Sequence, residues 1–66
     1  MSWVIFEQRV SRWYYDPCYA DDFLKGTPEY AKWYQTKEEA DAALVAWMLL
    51  NQEAPYSYGV EEFQNV

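Results

Sequence analysis

Hydrophobic and polar positions alternate along residues 3–10, as they do in a β-strand. The even positions fall on one face and the odd positions on the other, and both faces begin with large apolar side chains. We therefore predict a central strand of a sheet, covered on both sides near its start. The pattern continues to Tyr15 and is broken at Pro17, which lacks the amide donor that a ladder needs.

Two further segments show strand-like alternation, residues 29–35 and residues 56–63. Within the second, Gly59 predicts a bulge or a close approach of another group. Residues 17–25 are interpreted either as a loop or as a short helix. Three residues favour the short helix: Asp16 suits an N-cap, Pro17 suits the first helical position and Gly26 suits the terminating position.

Residues 36–51 carry the clearest helix signal in the chain. Thr36 followed by Glu39 forms a capping box, in which the Thr36 hydroxyl accepts from the Glu39 amide and the Glu39 carboxylate accepts from the Thr36 amide. Residues 40–51 contain no Gly or Pro. The elements together predict one domain over residues 1–66 with an α+β fold. This fold is a three-stranded, mainly antiparallel sheet with its first strand central, packed on one long helix (β-β-α-β), with the optional short helix at 17–25.

The predicted helix has two apolar faces. At 100° per residue, one stripe suits contact with the sheet. It consists of Ala40, Ala43, Leu44 and Trp47, flanked by Met48 and Leu50. The opposite side is also apolar where a solvated helix normally carries charge, and it consists of Ala42, Val45, Ala46 and Leu49. Three explanations stay open: cover by residues 19–24, a homodimer with Val45 and Leu49 at the contact, or a different protein.

Composition favours a soluble binding protein. Four Trp and seven Tyr supply large side chains to a chain of 66 residues, whose core is otherwise marginal. Eleven acidic against five basic residues give a net charge of −6, which disfavours nucleic acid and anionic lipid and favours a basic partner. The same charge also keeps an aromatic chain in solution. A single cysteine, no signal-peptide pattern and no membrane-length apolar run indicate a cytoplasmic location.

The residue types that carry most catalysis are scarce. The chain has no His, which is the commonest general base and zinc ligand. Cys18 has no activating base within reach by sequence and is interpreted as a small hydrophobic residue. Gly26 and Gly59 are too far apart to form a phosphate-binding loop. We therefore expect no enzymatic activity, no cofactor and no metal.

One cluster combines basic and aromatic side chains. Its members are Arg9, Arg12, Trp13, Tyr14 and Tyr15. Aromatic stacking beside cationic side chains is how proteins hold single-stranded nucleic acid. Two arginines in a body of net charge −6 are too few for such binding, so no direct contact with nucleic acid is expected. Cation–π packing of Arg12 on a ring is the alternative interpretation.

The acidic residues form short clusters that predict a partner-binding surface. Glu38 and Asp41 share a helix face and, with Glu39, sit where the helix macrodipole favours negative charge. If folding brings Asp21 and Asp22 close to them, these five residues form a negative band that suits a basic groove. Exposed Trp and Tyr would then supply anchors.

Residues 34–44 (YQTKEEADAAL) resemble the strand-to-helix junction of many small phage and mobile-element proteins. The short, acidic, aromatic, His-free chain is also similar in style to phage-encoded inhibitors of host defence, including anti-CRISPR proteins that act as DNA mimics. The resemblance implies an inhibitor that blocks the nucleic-acid-binding surface of a basic complex in the host cytoplasm. The alternative is a small structural or accessory homo-oligomeric protein with no inhibitory role.

Overall fold

The computed structural model describes residues 2–19, 22–52 and 56–64 of the chain. They form an α+β fold in which one long helix packs on an antiparallel sheet, which confirms the predicted fold class. The strands are β1 (Ser2–Gln8), β2 (Arg12–Tyr15), β3 (Phe23–Lys25) and β4 (Ser57–Phe63), and the helix is α1 (Lys37–Leu50). The sheet has four strands rather than three, in the order β3-β2-β1-β4, and β1 is internal as predicted.

The first strand ends earlier than its pattern suggests. Instead of continuing to Tyr15, the chain turns at residues 9–11, where the amide of Arg9 donates to the carbonyl of Ser11 (3.2 Å). β2 then returns antiparallel to β1, with Glu7 opposite Trp13. Because directly paired residues share a face, the alternation runs through the hairpin without interruption, and the pattern alone does not reveal the turn.

The optional helix at residues 17–25 is not formed in the described part of that segment. The carboxylate of Asp16 accepts from the amide of Cys18 (3.0 Å), which closes a local turn rather than capping a helix. Two residues then adopt left-handed backbone conformations, Asp22 with φ 63° and Gly26 with φ 70°, and the short strand β3 lies between them.

Residues 29–35 do not form the predicted strand either. Pro28–Tyr30 is a single turn of 3-10 helix, with proline at its start. Farther along, Tyr34 makes an isolated antiparallel bridge to Trp3, with both backbone hydrogen bonds present (2.8 and 2.9 Å). The alternation of this segment therefore corresponds to one bridge beside β1 and not to a full strand.

α1 matches the prediction closely. Thr36 is its N-cap and accepts from the amide of Glu39 (3.1 Å), as the capping box requires. At the other end, the amide of Asn51 donates to the Met48 carbonyl (3.2 Å), and its side-chain Nδ2 donates to the Trp47 carbonyl (2.8 Å). Both ends of α1 thus have partners for terminal backbone groups.

The main core lies between α1 and the sheet. Ile5, Ala40 and Leu44 are buried at its centre. A chain of aromatic contacts extends this core towards β3: the Phe23 ring lies 5.2 Å from Trp47, and Trp47 lies 5.0 Å from Tyr58. These rings supply the apolar area that a short chain lacks.

α1 does not lie on the opposite face of the sheet, yet Val4 is fully buried there, and on the same face the Trp33 ring lies 5.6 Å from that of Phe63. On this face the Phe6 ring lies directly over Gly59, where a Cβ atom would approach the ring tip to 2.7 Å. The guanidinium of Arg12 stacks on the same ring, 4.0 Å from its centroid. Gly59 therefore marks a close approach, one of the two outcomes that the sequence predicted.

Candidate functional site: the outer face of the helix

The side of α1 that faces away from the sheet is exposed and apolar. Val45 is 57% exposed and Leu49 is 65% exposed, and Ala42 and Ala46 beside them are also exposed. Residues 38, 42, 45 and 49 follow helical spacing, so Glu38 heads the same stripe. We call this stripe, with Glu39 and Ala46 beside it, the outer face of α1. It joins negative charge at one end to apolar side chains along the rest.

The acidic end of the outer face lies in the first turn of α1. Glu38 and Glu39 are exposed there, where the partial positive charge of the helix N-terminus favours carboxylates. Asp41 follows on the flank and pairs with Lys37 one turn earlier (3.4 Å). The first turn therefore presents two carboxylates without an ion pair among the described residues, and a third that is partly neutralised.

Asp22 lies elsewhere on the molecule. Its Oδ2 accepts from Trp47 Nε1 (3.2 Å), so its side chain is fixed beside the second half of α1. At a rise of 1.5 Å per residue, the nine steps from Glu38 to Trp47 span about 13 Å along the helix axis. The structure brings Glu38, Glu39 and Asp41 together and places Asp22 apart from them. Asp21 is outside the described residues.

Cover of the outer face by residues 19–24 is excluded for the described part of that segment. Phe23 packs against Trp47 on the side of α1 that faces the sheet, and Tyr19 is itself 49% exposed. Val45 and Leu49 consequently have no cover from the described residues of this segment, Tyr19 and residues 22–24. Two of the three explanations for the apolar face remain, a second copy and a different protein.

The two arginines are engaged within the chain. Arg9 pairs with Glu7, and its guanidinium lies 4.1 Å from the Trp13 ring centroid and 4.8 Å from that of Tyr56. Glu7 is only 3% exposed, so this pair is largely shielded from water. Arg9 is therefore held by a carboxylate and two rings.

Arg12 is held in the same manner on the opposite face of the sheet. It pairs with Glu61 of β4, donates to Gln8 Oε1 (3.1 Å) and stacks on Phe6. The Tyr14 hydroxyl also donates to Glu61 (3.5 Å). The basic-aromatic cluster thus forms internal cation–π contacts, which confirms the alternative interpretation given for Arg12.

Two carboxylates neutralise these arginines, those of Glu7 and Glu61, and neither was predicted as their partner. A signal for Glu7 exists, because it continues the apolar odd face of β1 and so is placed in the core by alternation. Glu61 is 49 residues from Arg12, and only the register of β4 against β1 brings the two together. No local pattern contains that information.

The remaining polar groups of the described residues complete the picture of the surface and the core. No group of three or more His, Cys, Asp or Glu side chains suited to a metal ion occurs among them. Cys18 is exposed. Burial raises the pKa of Tyr14, Tyr15 and Tyr34, and it raises that of Tyr58 to about 12. Two of these hydroxyls also interact with carboxylates, that of Tyr14 with Glu61 and that of Tyr58 with Glu7.

Comparison of the chain with family models, curated proteins and solved structures gives no match in any of the three. In the part of the chain that the structure describes, no helix is long and apolar enough to span a membrane.

Proposed function

We propose that the chain is an acidic protein-binding module, and that it acts as a phage-type inhibitor covering the nucleic-acid-binding surface of a basic complex. The observation that supports this function best is the outer face of α1, where exposed carboxylates continue into exposed apolar side chains. A helix of this kind binds in a groove, with apolar residues as anchors and charge at one end for orientation.

The state of the basic residues supports the acidic character of the proposed surface. Ion pairs between described residues involve three of the five basic residues, namely Arg9, Arg12 and Lys37. Glu38, Glu39 and Glu29, in contrast, are exposed and make no ion pair with a described residue. A basic partner therefore meets carboxylates and few competing cations, which favours fast, salt-dependent association.

Binding to a panel of purified nucleic-acid-binding complexes, including CRISPR effector complexes, tests this function. The wild-type chain is expected to bind one of them at low salt and to lose affinity as salt is raised. The double variant Glu38→Lys/Glu39→Lys is expected to weaken that binding at least about tenfold, as is Leu49→Glu. Glu29→Lys, a charge reversal outside α1, serves as the control for the single variant Glu38→Lys, which changes the net charge by the same amount, and it is expected to have the smaller effect.

An affinity that changes neither with salt concentration nor on charge reversal at Glu38 and Glu39 would contradict the electrostatic part of the proposal. Equal losses in Glu29→Lys and in Glu38→Lys would show that net charge matters and the outer face does not. Retention of full affinity by Leu49→Glu would exclude the apolar stripe as an anchor.

A further inference from the structure

β4 is a sheet edge of unusual length for so small a protein. It pairs with β1 over seven residues without a bulge and has no strand on its outer side among residues 2–19, 22–52 and 56–64. The other edge, β3, is only three residues long. Sheet edges are normally blunted by shortness, bulges, proline or charge. Of these protective features, β4 has only the charges of Glu61 and Glu62, and Glu61 is already paired with Arg12.

The backbone groups that point outward from β4 follow from the register. Trp3 exchanges both of its backbone hydrogen bonds with Tyr34, on the β2 side of β1. Alternate residues point their N–H and C=O groups to opposite sides, so the even residues of β1 bond to β4. Their partners on β4 are residues 57, 59, 61 and 63. The outward N–H and C=O groups consequently belong to Tyr58, Val60 and Glu62.

We propose that this edge binds a second copy of the chain, with β4 antiparallel to β4 and a two-fold axis at Val60. In this register all seven residues overlap, Val60 pairs with Val60, and Tyr58 pairs with Glu62 in both directions. The three outward residues of each chain then face one another, and six backbone hydrogen bonds form. No glutamate lies opposite a glutamate, whereas a shift that moves the axis to residue 61 places Glu61 against Glu61.

The helices fit the same arrangement. α1 packs over β1 and β4. Trp47 lies on the flank of α1 that contacts Asp22 and Phe23. Met48 lies on the other flank, above the β4 edge, because buried Ala40 and Leu44 come between the two around the helix. With strands about 4.8 Å apart, a two-fold axis beyond β4 sets the helix axes about 10 Å apart, a normal distance for helix packing. Met48, 44% exposed in the single chain, becomes part of the interface.

A second copy suits this edge better than a foreign strand for two reasons. The full-length overlap and the pairing without like charges come from the sequence of β4 itself, as an isologous contact requires. The joined sheets and adjacent helices also enlarge the core of a chain that is short for independent stability. Leu49 lies on the side of each helix that points away from the sheet, so it stays exposed in the dimer and available to a partner.

Amide hydrogen exchange of the wild-type chain, measured by NMR across a concentration series with sedimentation to monitor mass, tests the dimer. At concentrations where the mass doubles, the amides of Tyr58, Val60 and Glu62 are expected to gain at least about tenfold protection. The amides of Gly59 and Glu61 bond to β1 in the single chain and are expected to be protected throughout. A monomer at every concentration would overturn the proposal, as would a dimer whose three outward amides exchange as in the monomer.

Two neighbouring substitutions distinguish this dimer from one built on the outer face of α1. Met48→Glu is expected to raise the dimer dissociation constant at least about tenfold, and Leu49→Glu is expected to leave it within about twofold. The reverse result would overturn the edge-strand arrangement. Raised salt is expected to strengthen the dimer, since each copy carries a charge of −6, and to weaken partner binding. Failure of the dimer is therefore distinguishable from failure of the proposed function.

Discussion

Asp22 contributes to the fold as well as to the charge of the surface. Its φ of 63° lies in the left-handed region, which costs most L residues roughly 1–2 kcal/mol and which Asn and Asp tolerate best. Its carboxylate also accepts from the indole of Trp47, in the middle of the aromatic cluster. A substitution that tests its charge has to preserve both features.

Replacement of Asp22 by two different residues separates these roles. Asp22→Asn keeps an acceptor and tolerates the backbone conformation, so the free energy of unfolding is expected to stay within about 0.5 kcal/mol of the wild type. Asp22→Ala loses the acceptor for Trp47 Nε1 and strains the backbone, and it is expected to cost about 2 kcal/mol. Urea denaturation measures both. Equal stabilities of the two variants would show that the Trp47 contact is unimportant.

At the level of elements, the one glycine of β4 leaves room for an aromatic ring of the neighbouring strand. The Phe6 ring of the neighbouring strand lies over Gly59, and Arg12 covers the ring from outside. This arrangement covers part of the sheet face opposite α1, on which Trp33 also packs against Phe63. It also ties β1, β2 and β4 together through the ion pair between Arg12 and Glu61.

Gly59→Ala is expected to destabilise the protein by about 1–3 kcal/mol, because the new Cβ would lie 2.7 Å from the tip of the Phe6 ring, which would have to shift and disturb its stacking with Arg12. The effect should depend on Phe6. In a Phe6→Leu background, which removes the ring tip, the same substitution is expected to cost less than about 0.5 kcal/mol, and a double-mutant cycle measures the difference. If Gly59→Ala lowers the free energy of unfolding equally in both backgrounds, the cause lies in the backbone of β4 and not in contact with the ring.

The elements differ in how much of their structure is encoded locally. α1 was predictable because its cap, its composition and its periodicity lie within residues 36–51. β3 was not, since three residues flanked by two left-handed positions leave no periodic signal. The segment around Tyr34 alternates like a strand but finds one bridge to Trp3, because β2 already occupies the rest of that side of β1.

The same distinction applies to the candidate site. The outward position of Glu38, Val45 and Leu49 follows from helical spacing alone, so the sequence is sufficient to predict the apolar stripe and its acidic end. The fixed position of Asp22 beside Trp47 depends on a contact across 25 residues. The neutralisation of Arg12 by a distant glutamate depends on strand register, which a single sequence does not specify.

For the molecule as a whole, the aromatic core has a consequence for stability at high pH. Burial raises the pKa of Tyr14, Tyr15 and Tyr34, and burial together with the neighbouring Glu7 carboxylate raises that of Tyr58 to about 12. Tyrosine in an unfolded chain ionises at about pH 10. Above that pH the unfolded chain loses protons that the folded protein keeps, so unfolding becomes more favourable.

The free energy of unfolding is therefore expected to be highest below about pH 10 and to fall as pH rises towards 12. Urea denaturation of dilute protein at several alkaline pH values measures this fall. Tyr58→Phe removes the largest contributor and should make the decline shallower, although it also removes the hydrogen bond to Glu7. An unchanged decline in Tyr58→Phe would assign the alkaline sensitivity to other groups.

The central claim is that the outer face of α1 competes with nucleic acid for a basic partner. The most direct test measures the affinity of the bound complex for its own nucleic acid while the concentration of the chain is raised. The account predicts a competitive loss of nucleic-acid binding that Glu38→Lys and Leu49→Glu each relieve and Glu29→Lys relieves less. A complex that holds the chain and its nucleic acid at the same time, each at full affinity, would contradict it.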